Sequence, residues 1–229
     1  MFVGRALYGW VTEEFTAKEA KDEDKRSELV KDAWTISRTK AGDCPILRLH
    51  NCWHDERKSK LSAYNPNRSA FWRLIRSLSK TRISSTGMVP PWHSTIYWTN
   101  LYKVNPASTG NPGKALVAAQ QQASIDMLRC EIEAKKPAAV VFLTGYGWAM
   151  PFVEGMKTEN LTIQPGTILQ AHGQFTLGNQ TSAFVVVPHP QGKPVKEMAS
   201  AALNGIRQNI VSLQQPLSPS DLGKAATDE

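Results

Sequence analysis

Two polar side chains that follow strand-like runs are the first candidates for chemistry in this sequence. His189 follows the apolar run AFVVV and lies within PHPQGKP, where three prolines restrict the backbone and one glycine frees it. Asn100 follows the β-rich run STIYWT. An imidazole can donate a hydrogen bond to an atom that gains negative charge, and an amide offers both a donor and an acceptor. We therefore expect a polar site whose histidine is held by a stiff loop.

The elements that would position these side chains alternate between strand and helix. Strand-like runs lie at 2–4, 94–99 and 138–145, and two or three more lie within 167–187, the last at 183–187. Helix-like runs lie at 68–79, 114–135, 147–155 and 196–213. This alternation predicts an α/β fold, a three-layer α/β/α sandwich with a mainly parallel central sheet. Ligands bind at the carboxyl ends of the strands in such sheets. The loops 4–10, 100–106 and 188–194 would line one cleft if their strands are neighbours.

The length of 229 residues fits one domain, which we expect to span residues 1–213. Residues 17–67 are interpreted as a charged insertion, and their first part, 17–33, predicts an exposed helix. Residues 214–229 predict a disordered tail. The chain opens directly on a strand, so either the fold begins there or an upstream helix lies outside this sequence.

Composition favours a cytoplasmic protein with no membrane contact. Hydrophobic residues make up 41% of the chain and charged residues 21%, and no apolar run approaches the ~20 residues that a membrane span needs. The start MFVGRALYGW lacks the order of a signal peptide. The net charge of +7 is compatible with a polyanionic partner such as nucleic acid. We expect a monomer.

Cysteine usage argues against a disulfide framework and against an iron–sulfur cluster. The three cysteines are Cys44, Cys52 and Cys130, which are too few to supply four thiolates. The segment His50–His54 has zinc-ligand types but lacks the paired spacings of a zinc site. We expect no metal and no cofactor, and a zinc-dependent hydrolase or nuclease using His50, Cys52 and His54 remains an alternative.

Four motifs, each at a strand end, resemble those of the uracil-DNA glycosylase superfamily. They are GRALYGW, TNLYKVNP, KPAAVVFLTG and VVVPHPQG, and they occur in the family's order. The resemblance spans residues 1–213. It implies a uracil-DNA glycosylase-like fold and an enzyme that flips a pyrimidine out of DNA and hydrolyses its bond to the sugar. The base would be uracil or a modified cytosine such as those in phage DNA, removed in base-excision repair or in anti-phage defence.

The resemblance also assigns roles to residues of the site. It implies that His189 donates a hydrogen bond to the base carbonyl and that Asn100 reads the base; Asn100 is also a candidate for holding the water. Tyr8 and Trp10 are candidates for stacking on the base or walling its pocket. The remaining candidates would contact DNA, namely Arg5, Lys103 and the wedge-like loop of Pro190, Gln191, Gly192 and Lys193.

The first motif departs from the family at the position that activates water. Ala6 stands where the GQDPYH type has an acid, and Leu7 stands where a proline is usual. Glu13 and Glu14 are candidates for activating the water, although both also fit solvent-exposed charges at a helix start. The departure keeps a second hypothesis open, in which the chain is a DNA-binding module that has this fold without catalysis.

Overall fold

The computed structural model describes residues 1–6, 22–25, 68–79, 96–105, 110–156 and 158–214, with the backbone alone at 6 and 211–214. The longer elements of this part are six strands and four helices. In chain order they are β1 Phe2–Ala6, α1 Ala70–Ser79, β2 Trp98–Tyr102, α2 Lys114–Lys135, β3 Ala139–Phe142, α3 Tyr146–Gly155, β4 Thr158–Ile163, β5 Ala171–Leu177, β6 Gln180–Val186 and α4 Val195–Gln214. The four helix-like runs and the strand-like runs at 2–4, 138–145 and 183–187 are confirmed near these places, and the run predicted at 94–99 forms a strand at Trp98–Tyr102.

The strands form one mixed, mostly parallel sheet in the order β2-β1-β3-β6-β5-β4. β1 pairs in parallel with β2 and β3, and β3 pairs in parallel with β6. β5 runs antiparallel to β6 and β4. The carboxyl ends of the four parallel strands therefore meet at one edge, so the loops after β1, β2 and β6 follow strands of one contiguous block.

Helices pack on both faces of the sheet. On one face, α2 and α3 bury residues such as Leu128 and Phe152 against Val3 of β1. On the other, α1 and α4 bury residues such as Leu74 and Met198. Each such side chain contributes about 1.5–3 kcal/mol when it is fully buried. The arrangement is α/β and is compatible with a three-layer sandwich.

Two features of the strands differ from the expectations. Asn100 lies in the middle of β2 rather than after its end, because β2 stays in register with β1 from Trp98 opposite Phe2 to Tyr102 opposite Ala6. The edge strand β4 has no counterpart among the predicted elements. After its first residue β4 is exposed along its whole length, so it carries no apolar alternation for a sequence pattern to detect.

The charged insertion is described only at residues 22–25, which are exposed and helical from 23 to 25. The Asp22 carboxylate accepts hydrogen bonds from the backbone N–H groups of Asp24 and Lys25, as an N-capping side chain does. The rest of the insertion and the predicted tail from 215 onward lie outside the described residues. None of the helices in the described part is long and apolar enough to cross a membrane.

Candidate functional site

The Asn100 side chain lies over a gap in β1 that a glycine creates. Asn100 pairs with Gly4 across the two parallel strands and is 4% exposed. A Cβ atom on Gly4 would overlap Oδ1 of Asn100 and would lie 3.5 Å from Cζ of Phe71. The missing side chain of Gly4 therefore lets the Asn100 amide lie across β1, next to the Phe71 ring.

The hydrogen-bonding groups of Asn100 are available to a ligand. Within the described part of the chain, its side-chain amide makes no hydrogen bond to another residue. Asn100 is 4% exposed, and an amide with no bond among the described residues can gain hydrogen bonds from a polar ligand. Asn100 thus has the property expected of a residue that binds a polar ligand.

The ring of His189 lies near the same aromatic ring, that of Phe71. The rings of His189 and Phe71 have centroids 6.5 Å apart and planes inclined by 24°. Phe71, on α1, therefore lies close both to the Asn100–Gly4 contact and to His189. The sequence analysis missed Phe71 as a site residue, because its spacing is the same as that of the core residues of α1.

His189 is held in its neutral form. The ring is half-buried, and burial lowers its pKa, with a smaller lowering from the positive charge of Arg5. The backbone N–H of Gln191 donates to Nδ1 over 3.4 Å. Because Nδ1 accepts, the proton of the neutral ring is assigned to Nε2, which can then donate a hydrogen bond to a ligand.

The loop that carries His189 is a tight turn ending in a helix. The Lys193 N–H donates to the Pro190 carbonyl over 3.1 Å, which closes a four-residue turn. Gly192 is its third residue and has φ +70°, a value that favours glycine. Pro190 is buried, whereas Gln191, Gly192 and Lys193 are exposed. Their contact with DNA stays a prediction, but the exposed residues lie at the tip of the turn.

Arg5 is fixed at the carboxyl edge by two contacts. Its Nε donates to the carbonyl of Thr144 over 2.8 Å, and its guanidinium carbon lies 5.4 Å from the centre of the Trp148 ring. Partial burial lowers the pKa of Arg5, yet an arginine stays charged at neutral pH. Neither contact neutralises the guanidinium, so Arg5 contributes positive charge to the site.

The first turn of α3 adds to this positive potential. Gly145, with φ +82°, precedes the helix, and a Cβ there would lie 3.8 Å from Nη2 of Arg5. The Tyr146 N–H donates to Oε1 of Gln170 over 2.8 Å. A helix N-terminus and a guanidinium both favour an anion. No sequence pattern marks Gln170, which reaches this helix from the turn before β5.

Lys103 is already paired within the protein. Its ammonium lies 3.0 Å from Oε1 of Glu131 on α2, and it also donates to the hydroxyl of Thr99. Burial lowers the pKa of Lys103, and the charge and hydrogen bond of Glu131 raise it. A phosphate contact by Lys103 stays a prediction and would have to compete with Glu131.

The loop after β2 is anchored by a glutamine that the sequence analysis missed. Gln120 of α2 accepts a hydrogen bond from the Val104 N–H over 3.0 Å and donates to the Val104 carbonyl over 2.8 Å. The next residue, Asn105, is buried and donates to the carbonyl of Gly110. These bonds fix the chain on the carboxyl side of Asn100.

Several predicted residues lie outside the described part of the chain. They are Tyr8, Trp10, Glu13 and Glu14 of the first loop, and His50, Cys52 and His54 of the zinc alternative. Ala6 ends β1, and its side chain is not described. In the described ranges, no three His, Cys, Asp or Glu side chains form a group that could hold a metal ion.

Comparison with protein families and with curated proteins gives no match. No protein-family model matches the chain, and no curated protein matches it. The assignment of the site therefore depends on the motifs of this chain and on the geometry described above.

Proposed function

We propose that this protein is a DNA glycosylase, a divergent member of the uracil-DNA glycosylase superfamily with the fold of that family. The observation that carries the proposal is that Phe71 lies close both to Asn100, in β2, and to His189, in the loop after β6. An amide, an aromatic ring and a neutral imidazole are the groups needed to pair with, stack on and polarise a flipped pyrimidine.

The reaction would proceed by loss of the base and addition of water. When the bond between the sugar carbon and the base nitrogen breaks, its electron pair goes to the base, which becomes anionic. The Nε2–H of His189 donates to the base carbonyl that gains this charge, and the cation of Arg5 lowers the energy of the anion further. Water then adds to the electron-poor sugar carbon, and the proton it loses neutralises the base anion, so the products are an abasic site and the free neutral base.

Recognition and water activation are divided among other residues. Asn100 pairs with the edge of the pyrimidine, and Phe71 offers a face for stacking. Asn100, Glu13 and Glu14 are the proposed groups for positioning or activating water, and Tyr8 and Trp10 the proposed further walls of the pocket. Arg5, Lys103 and the exposed turn at Gln191–Lys193 are the proposed DNA contacts. The setting proposed is cytoplasmic, in repair of aberrant bases or in defence against phage DNA.

Release of free base from defined oligonucleotides tests this proposal. The panel should contain uracil, deaminated purines, mismatches and phage-type modified cytosines, in single and double strands. We expect one pyrimidine substrate to lose its base and leave an alkali-sensitive abasic site. A folded protein that releases no base from any member of the panel would contradict the proposal.

A second candidate is a DNA-binding module with the same site and no catalysis. Ala6 favours it, because a methyl group cannot polarise water at the position where relatives of the GQDPYH type carry an acid. The two candidates differ in one measurement. The module would bind abasic or mismatched duplexes but release no base, whereas the enzyme would bind DNA and also release a base.

A further inference from the structure

A groove on the opposite face of the sheet from Asn100 has no role in the proposed reaction. It lies between the start of α2 and the start of α3 and has a volume of about 320 Å³. Trp148, which is half-buried, and Tyr102, which is 2% exposed, are among its lining residues, and their ring centroids lie 5.8 Å apart with planes inclined by 71°. Small-molecule sites occupy roughly 300–1,000 Å³, so the groove has room for one small ligand.

The groove has apolar walls and a polar rim with one positive charge. Pro112, Pro151 and Val117 supply apolar walls. Lys114 and Gln121 lie on the groove side of α2, seven residues apart and therefore on one face of the helix. The lining residues include one cation and no acid, so the rim complements an anion.

The half-buried ring of Trp148 can stack on a planar group. The Arg5 guanidinium already lies over the Trp148 ring, which ties this indole to the charged edge of the sheet. Burial raises the pKa of Tyr102, so its phenol stays protonated and can donate a hydrogen bond. Stacking on aromatic rings accepts any nucleobase, and a side-chain amide such as that of Gln121 can pair with a base edge.

We propose that this groove binds a nucleotide, with the nucleobase against the half-buried ring of Trp148 and the phosphate at the exposed Lys114. The choice of a nucleotide rests on the proposed function, since the groove lies beside the ends of β2 and β3 at the same carboxyl edge as the proposed DNA site. The groove is a second subsite, separate from the pocket of His189 and Asn100. An apolar peptide is the other occupant that such walls would fit, and the lysine at the rim disfavours it.

Titration of the full-length protein with small probes tests the subsite. The probes are deoxyadenosine monophosphate, deoxyadenosine and inorganic phosphate, followed by NMR through the Gly147 amide and the Trp148 indole N–H. A purine is chosen because the reaction pocket is proposed to take a pyrimidine. We expect saturable shifts with the nucleotide, weaker binding of the nucleoside and no saturable effect of phosphate alone.

Substitutions on one helix supply the matched comparison. Lys114→Gln should weaken nucleotide binding by about three- to tenfold and leave nucleoside binding unchanged, because only the phosphate contact is lost. Lys136→Gln removes the same charge at the far end of α2 and should change neither. Val117→Trp fills the groove and should abolish binding of both probes while the circular dichroism spectrum stays unchanged.

Two results would overturn the subsite. The first is nucleotide binding that persists in Val117→Trp. The second is that the nucleotide causes no chemical-shift change at Gly147 or Trp148, including the case in which an apolar peptide binds there instead. Base release measured alongside separates this proposal from the proposed function. Base release without nucleotide binding would refute only the proposed subsite. Nucleotide binding without base release would refute only the proposed enzymatic function.

Discussion

The two polar residues of the site are held by different means. Asn100 lies inside the sheet, where pairing with β1 fixes its backbone and Gly4 leaves space for its amide. His189 lies on a loop, where a closed turn and the start of α4 fix the backbone. A side chain in a sheet is thus positioned by its neighbours across the strands, and a side chain on a loop is positioned by its own segment. The two halves should therefore respond differently to substitution.

The largest effect is expected at His189. His189→Ala removes the donor to the base carbonyl and should lower kcat by roughly 10²- to 10³-fold, with a small change in the Kd for DNA. His172→Ala, on β5, is the control; the ring of His172 pairs with Asn209 of α4, so this variant loses a histidine contact but not the proposed donor and should keep its activity. Equal losses of kcat and of DNA affinity in His189→Ala would mean that the residue only binds.

Gly4→Ala should show that Asn100 depends on its neighbour. The added methyl group meets Oδ1 of Asn100, so the amide must turn away from the site. We expect loss of most of the activity and a free energy of unfolding lower by about 1–3 kcal/mol. Gly113→Ala, where a Cβ meets nothing within 4 Å, is the control for chemical denaturation and base release. Full activity of Gly4→Ala would separate Asn100 from the reaction.

The pH dependence of stability should report the neutral state of His189. Its pKa is lowered in the folded protein, first by burial and then by Arg5, so the unfolded state binds more protons near pH 6. The resulting stability is fully present above about pH 6.5, the ordinary pKa of histidine, and is lost as the pH falls through the lowered pKa. Urea unfolding between pH 7.5 and 5 should therefore show a steeper loss for the wild type than for His189→Gln. Parallel curves would contradict the lowered pKa.

The smallest effect is expected in the turn below His189. Gly192→Ala forces an alanine to φ +70° and should lower the free energy of unfolding by about 1 kcal/mol. Gln191→Ala, at the exposed neighbouring position, should stay within about 0.5 kcal/mol of the wild type. A Gly192→Ala protein as stable as Gln191→Ala would show that the turn is not held in this conformation.

Local patterns predicted the helices and the parallel strands, but tertiary contacts decided the site. The apolar runs before His189 and at β3 are buried strands because their composition requires it. By contrast, the place of Asn100 depends on its register with Gly4, and the roles of Phe71 and Gln170 depend on packing between elements distant in sequence. No local pattern distinguishes Phe71 from the core residues of α1. The strand β4 was not predicted because it is exposed after its first residue and so has no buried apolar face that a pattern could detect.

The double hydrogen bond of Gln120 to Val104 has a consequence for how this chain can vary in length. One side-chain amide satisfies both backbone groups of Val104, as a neighbouring strand would, and Asn105 then ties the chain to Gly110. The connection from β2 to α2 therefore begins and ends at residues that hydrogen bonds already hold together, Val104 with Gln120 and Asn105 with Gly110. Residues inserted between them would lengthen the connection without shifting β2, so this is a place where the protein can gain a new surface while its site stays in register.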